Sequence, residues 1–178
     1  MTSAPAITYR ALTADELDDR LDELVSLLHD CVHDGASVNF VMPFPRAEAE
    51  HFWRSMVLGP ARRGDRTILI AEAAGRIVGS VQLDCDTPPN QPHRAEVTKL
   101  LVHPDFRRRG IARRLMQDLE ALAIRRGRSL ITLDTRTGDS AEPLYTSLGY
   151  QTVGSIPGFS RDVFTDRLDA TTLMYRTL

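Results

Sequence analysis

What the sequence has little of narrows its class first. It has two cysteines, Cys31 and Cys85, too far apart for the short pair spacings of a zinc site or a dithiol redox motif. Both are expected to be reduced thiols in a cytoplasmic protein. No apolar run approaches the roughly 20 residues needed to cross a bilayer, and residues 1–10 lack the apolar stretch of a secretory signal. No membrane partner is expected. Neither sign of charge dominates: 22 basic residues face 24 acidic ones, a formal net charge of −2, which leaves no general footprint for nucleic acid. Repeats, low-complexity tracts and linkers are also missing. What is there is a chain of 178 residues, 42% hydrophobic and 26% charged, long enough to bury a core and read as a single domain over 1–178.

Hydrophobic periodicity then orders the chain. Helical and strand patterns alternate, which points to an α/β or α+β fold. A strand is expected over 7–10. Thr13 and Glu16 have the spacing of a capping box, and Leu17, Leu21, Leu24, Val25 and Leu28 follow at helical intervals toward Gly35. A second helix is expected to start at Pro45, a residue suited to a first helical turn, and to carry Phe52, Trp53 and Met56 toward Gly59 and Pro60. Strands over 67–73 and 77–83 flank the turn signal Ala74-Gly75. A proline-rich loop over 87–94 leads into a strand over 95–102, which Pro104 stops. The longest helical pattern covers 110–126, with Ile111, Leu115, Leu119 and Leu122 inward and Gly127 as its stop. A strand over 130–134, a short helix over 140–148 and strands over 150–153 and 172–175 complete the order. Residues 154–169 read as a long loop, a kind that often carries function.

The stretch richest in chemistry is Leu100-Leu101-Val102-His103-Pro104 followed by Arg107-Arg108-Arg109-Gly110-Ile111-Ala112. It reads as an apolar strand, a basic turn and the start of a long helix. A helix N-terminus offers unpaired N–H groups and a partial positive charge, and so holds a pyrophosphate well. Gly110 and Ala112 are small enough to let phosphates approach the backbone. Arg107, Arg108, Arg109, Arg113 and Arg114 add positive charge, although some of the five must face solvent. A Walker loop does not fit, since no Lys-Ser/Thr follows the glycine. The dinucleotide fingerprint does not fit either, since one glycine stands where three are needed. A solvated basic helix cap or a nucleic-acid patch is the alternative.

These residues resemble the acetyl-CoA motif of the GNAT superfamily of N-acetyltransferases, Gln/Arg-x-x-Gly-x-Gly/Ala, with Arg107, Gly110 and Ala112 in order. Ala141, Leu144, Tyr145 and Gly149 resemble the superfamily's next motif, Asn-x-x-Ala-x-x-Leu-Tyr-x-x-x-Gly-Phe. Gly138 stands at the Asn position and Tyr150 at the Phe position, so Asp139 or Ser140 is the substitute for the missing side chain. The resemblance covers nearly the whole chain. It implies a mixed, mostly antiparallel sheet, splayed between its fourth and fifth strands and flanked by helices. It also implies acetyl-CoA as acetyl donor, with the pantetheine arm pairing with the backbone at Leu101 and Val102 like an added strand. The phosphates would sit against Arg107, Arg108, Arg109, Gly110, Ile111, Ala112 and Arg113, with Ser140 nearby. A closer resemblance, to the tabtoxin-resistance acetyltransferases, rests on residues 33–40, 94–97, 133–135 and 157–159. It implies that the acceptor is the primary amine of a small molecule, an amino-acid-like toxin or antibiotic.

Attack on a thioester needs a neutral amine. Deprotonating an amine of pKa about 10.4 at neutral pH costs about 4.6 kcal/mol, and a carboxylate can take the proton directly or through a water. Glu96 and Asp134 have equal claims to this role, and the resemblance implies that both point toward the acceptor amine. Alternation gives Glu96 the same strand face as Thr98, Leu100 and Val102. Asp134 ends the fifth strand, where the splay opens. The plainer alternatives are a surface carboxylate paired with Arg94 or Lys99 for Glu96, and a turn or cap residue for Asp134. Tyr145 matches the family tyrosine that protonates the departing thiolate; its alternative is a core aromatic. A route through a cysteine is not expected, because Cys85 lies between Asp84 and Asp86. His29 and His33 have i,i+4 spacing around Cys31 but lack further ligands, so no metal is expected. The acceptor pocket should draw on residues 35–44, 87–94 and 154–169, where Asp162, Asp166 and Asp169 would favour a cation unless they form a solvated acidic loop. The expected reaction is direct attack in a ternary complex by a monomer or homodimer. Acetylation of proteins or peptides, and acyl-CoA sensing without turnover, are the competing readings.

Overall fold

A computed structural model describes residues 6–178. Its centre is a seven-stranded sheet in the order β1-β2-β3-β4-β5-β7-β6. The strands are β1 (Ile7–Ala11), β2 (Arg66–Ala73), β3 (Arg76–Asp84), β4 (Arg94–Val102), β5 (Leu130–Arg136), β6 (Gln151–Arg161) and β7 (Leu168–Thr177). Neighbours are antiparallel except β4 and β5, which run parallel and pair only from Arg94–Leu130 to Glu96–Thr132 before they separate. This is the mixed, splayed sheet that the family resemblance implied.

Helices cover both faces. On one lie α1 (Glu16–Asp19), α2 (Leu21–His33), α3 (Arg46–Phe52) and α4 (Leu58–Arg63), and on the other α5 (Ile111–Arg125) and α6 (Ala141–Ser147). Alternation in β2 serves both layers: Ile68 and Ile70 join Leu24, Leu28 and Trp53, whereas Leu69 and Ala71 join Leu115 and Leu119. Each large apolar side chain buried this way contributes about 1.5–3 kcal/mol. No described helix is long and apolar enough to cross a membrane.

Four details depart from the sequence reading, each for a local reason. The first helix breaks at Arg20, and its cap runs through Glu16, whose carboxylate accepts from the Thr13 N–H at 2.9 Å and the Thr13 hydroxyl at 2.8 Å. The second helical region does not stop at Gly59 and Pro60. A π turn over Trp53–Val57 leads without a break into α4, which contains Pro60, and the stop is Gly64 at φ 82°. The π turn also shifts the apolar stripe, so Val57 is buried and Met56 is exposed. Residues 154–169 are mostly strand: β6 runs to Arg161 and β7 begins at Leu168. As the edge strand, β6 tolerates Gly154, Pro157 and Gly158 through two register shifts. Finally, β4 carries a bulge opposite Ser80–Gln82, with Lys99 at φ 51°.

Candidate functional site

Because β4 and β5 part after Glu96 and Thr132, the middle of the sheet opens into a fork. A cavity of about 830 Å³ fills it, within the size range of small-molecule sites. Its walls come from β4 beyond the fork, the start of α5, the end of β5, α6, and the turn after α2. The edge of β4 that faces the fork has no strand partner from Val97 to Val102, and such an edge is a template for an added extended chain.

The bulge decides how β4 presents its side chains. Ala95 and Val97 pack on the α5 side, and so do Leu100 and Val102, whereas Leu101 packs on the α2 side. The extra residue at Lys99 therefore reverses the alternation. Glu96 and Thr98 consequently do not share a face with Leu100 and Val102, contrary to expectation, although all of them border the cavity along the fork.

At one end of the cavity is the basic turn. Arg108 at φ 61° and Gly110 at φ 79° are both left-handed, a curl of the kind that gathers N–H groups around an anion. A Cβ on Gly110 would meet nothing within 4 Å, so its backbone angle, rather than protein packing, calls for glycine. Gly79 on β3 is needed for space: a Cβ there would lie 2.9 Å from Ile111 Cγ2 and 3.2 Å from the Leu101 carbonyl oxygen. It lets the first turn of α5 press onto the strands. Leu101, Val102, Arg107, Arg108, Gly110, Ile111, Ala112, Arg113 and Ser140 all border the cavity. Arg107 donates to the Val102 carbonyl at 3.2 Å and pairs with Asp34 at the end of α2, and Arg113 donates to the Ser147 hydroxyl at 2.8 Å. Arg109 is not brought to the cavity; it stacks on Phe106 at 4.9 Å and donates to the Asp105 carbonyl. Arg114 turns away as well, toward Asp118 at 3.0 Å. At the position of the absent Asn, Gly138 donates its N–H to Glu142 at 2.8 Å. Asp139 is engaged by Arg136 at 3.2 Å and by the Ser140 N–H at 2.6 Å.

At the other end Glu96, Asp134 and Tyr145 come together on one cavity. Asp134 accepts from the buried Thr171 hydroxyl at 2.9 Å. Glu96 is half-exposed, 3.6 Å from Arg94, whose guanidinium donates to Thr132 at 3.0 Å. Tyr145 is buried; burial pushes its phenol well above the usual range, and Asp139 and Asp134 push the same way. It therefore stays neutral and keeps its proton at neutral pH. Burial also pushes the Cys31 thiol up to about 12, against the pull of Arg107, so the cysteine that borders the cavity is not a thiolate nucleophile. His29 and His33 stack at 4.0 Å, and His33 Nδ1 lies 2.9 Å from the His29 carbonyl.

The acceptor walls differ from expectation. Residues 35–39 contribute, together with Phe159 and Ser160 of β6. The proline-rich loop over 87–94 does not, because it precedes β4 at the paired end of the fork. The acidic residues here differ in their surroundings. Asp162 accepts from the Phe164 and Thr165 N–H groups and Asp169 of β7 pairs with Arg167 at 2.8 Å, whereas Asp166 is solvent-exposed, 3.4 Å from Arg161.

Two residues at the site are not expected from sequence to act there: Thr171, and Lys99, which enters only as an alternative partner of Glu96, a carboxylate that lies beside Arg94 instead. Thr171 gives no local signal, since it meets Asp134 only through the pairing of β5 with β7. Lys99 lies within 5.7 Å of the Phe40 ring centroid and 5.3 Å of that of Phe52. A lysine inside an apolar strand is a visible signal, and only its surroundings are not.

The sequence profile of the acetyltransferase (GNAT) family matches residues 21–150. An acetyltransferase of Pectobacterium atrosepticum, ECA0875, is 44% identical over 89 residues, which cover 49% of this chain and 60% of that protein. The chain thus spans only about 60% of the length of that relative and similar ones. An uncharacterized N-acetyltransferase from the hisH-hisA intergenic region of Azospirillum brasilense is 30% identical over 125 residues, covering 69% of this chain and 72% of that protein. Among solved structures, yncA of Salmonella typhimurium with its cofactor acetyl-CoA superposes with a TM-score of 0.77 at 18% identity, over 97% of this chain and 94% of that one.

Proposed function

The chain belongs to the acetyltransferase (GNAT) family, and from that premise we propose that it moves an acetyl group from acetyl-CoA to the primary amine of a small molecule, by direct attack in a ternary complex, as a cytoplasmic single-domain monomer or homodimer. The observation that carries the reading is one cavity with a cationic turn at one end and two carboxylates at the other, joined by an unpaired strand edge. Those features fit the cofactor: an anionic head against the start of α5, and an amide-bearing arm along β4. Acetyl-CoA, when bound, supplies the activated acetyl thioester.

The protein's own residues do the rest. Arg107, Arg108 and Arg113, with the N–H groups of Ile111 and Ala112, hold the phosphates, and Ser140 offers its hydroxyl at the neighbouring turn. Arg109 has no place in this set. Leu101 and Val102 lend backbone groups to the arm. Asp134, fixed by Thr171, orients the acceptor amine. Glu96, half-exposed at the vertex of the fork, takes its proton and passes it to solvent. Tyr145 hydrogen-bonds the sulfur as it leaves. A phenol held above its usual pKa of about 10 is a weaker acid than a thiol of about 8.5, so full transfer is uphill and its contribution is modest.

The closer resemblance to tabtoxin-resistance acetyltransferases bears on the acceptor. Each of its four segments, 33–40, 94–97, 133–135 and 157–159, contributes to the cavity wall. That supports an amino-acid-like toxin or antibiotic over a peptide.

Thermal unfolding with acetyl-CoA, against NAD and ATP as controls, tests the cofactor. At about 100 times its dissociation constant a ligand stabilises by about 2.7 kcal/mol, roughly 5–10 °C for a chain of this length. No shift at millimolar acetyl-CoA rejects the reading. CoA release with amines then separates an enzyme from an acyl-CoA sensor.

A further inference from the structure

Lys99 is the only lysine among the 22 basic residues of the chain. It sits at the β4 bulge in a left-handed conformation, φ 51°, which side-chain-bearing residues rarely adopt. Bulges re-aim side chains next to functional sites, and this one borders the cavity. No carboxylate lies within ion-pair distance of its ammonium among the described residues, and its near neighbours are the Phe40 and Phe52 rings. Two aromatic faces attract a cation but do not replace the hydration that burial removes. Burial accordingly pulls its pKa down to about 8, with Asp134 acting in the opposite direction. The site keeps an under-compensated cation where every other basic residue of the chain is arginine. The two rings meet edge to face with centroids 5.4 Å apart, and the compact ammonium of Lys99 lies over both.

We propose that Lys99 anchors a carboxylate of the acceptor, so that the site selects amines that carry an anionic group close to the reacting nitrogen. The inference rests on the amine-acetylation reading and narrows it. Glu96, Asp134 and Lys99 all line the cavity, two carboxylates that suit an ammonium and a lysine that suits a carboxylate, the complement of a zwitterion. A polyamine would set its second cation against Lys99. The incoming carboxylate supplies the partner that the fold withholds, and Lys99 is a specificity residue that takes no part in bond-making.

The test uses common L-amino acids and their matched α-amides, which differ only at the carboxyl group. CoA release is measured for the wild type, Lys99→Met and Lys99→Arg. The wild type should favour acids over their amides by about tenfold or more in kcat/KM, as expected for a charge-assisted contact. Lys99→Met should abolish that preference, and Lys99→Arg should keep part of it. Because a variant at the bulge can misfold, a second measurement leaves the sequence intact. Reductive ¹³C-methylation labels the single lysine and the N-terminal amine with charge retained; the lysine NMR signal, identified by its loss in Lys99→Met, should move with acids and not with amides. Equal use of acids and amides, a preference that survives in Lys99→Met, or a signal that ignores both ligands overturns the inference. If no amine releases CoA but the signal still responds to acids alone, the acetyl-transfer reading fails and the Lys99 site stands.

Discussion

Gly79→Ala is the sharpest perturbation of how the fold builds the cofactor end of the site. The glycine lies where β3, the Leu101 carbonyl and the first turn of α5 converge. The added methyl would sit 2.9 Å from Ile111 Cγ2, 3.2 Å from the Leu101 oxygen and 3.3 Å from Leu115 Cδ1. Ile111 and Leu115 are buried in the core and the oxygen is backbone, so none of the three can swing aside and α5 must lift from the sheet. Overpacking of this kind costs about 1–3 kcal/mol, or roughly 2–12 °C in Tm at this chain length. The same lift separates the α5 N-terminus from the β4 edge, the two elements proposed to hold acetyl-CoA. Affinity for acetyl-CoA should therefore fall along with stability. Differential scanning fluorimetry with and without acetyl-CoA, plus equilibrium dialysis, measures both. A Gly79→Ala protein with wild-type Tm and wild-type acetyl-CoA affinity would refute the packing argument.

Three further outcomes follow from the site. Glu96→Gln and Asp134→Asn should each lower kcat, the base variant by about 100-fold or more, with acetyl-CoA affinity nearly intact; wild-type turnover in both rejects the assignment. Thr171→Val should lower kcat/KM through a loosened Asp134, by about tenfold for the loss of a hydrogen bond to a charged group, while leaving the acetyl-CoA Kd unchanged. The third outcome concerns pH. Lys99 is held at about 8, lowered by burial and Arg66 and opposed by Asp134, and the proposed carboxylate binds only its protonated form. Inhibition by an N-acetyl amino acid, which keeps the carboxylate and lacks the ammonium, should be full below pH 8 and weaken above it. Inhibition that is flat from pH 7 to pH 10 would speak against Lys99 as the anchor.

The amino-acid pattern by itself determined the order of elements and the cofactor motif, because each is written in neighbouring residues. Period 3.6 marks α2 and α5, short apolar runs bounded by turn residues mark β2 and β3, and the run from Leu100 to Ala112 is a strand, a turn and a helix start in direct succession. Edge pairing was less legible: Gly154, Pro157 and Gly158 look like a loop, and only a partner strand with two register shifts makes them β6. Tertiary structure alone decided the arrangement of the site. The bulge at Lys99 reverses which β4 residues face which layer, and nothing in residues 94–102 themselves specifies it; the register against β3 does. Thr171 reaches Asp134 from 37 residues away, and Arg109 turns out of a run of three arginines whose members look alike in sequence. Local patterns encode local backbone, whereas a cavity in a splayed sheet is lined by residues that share no local pattern and meet only where β4 and β5 part.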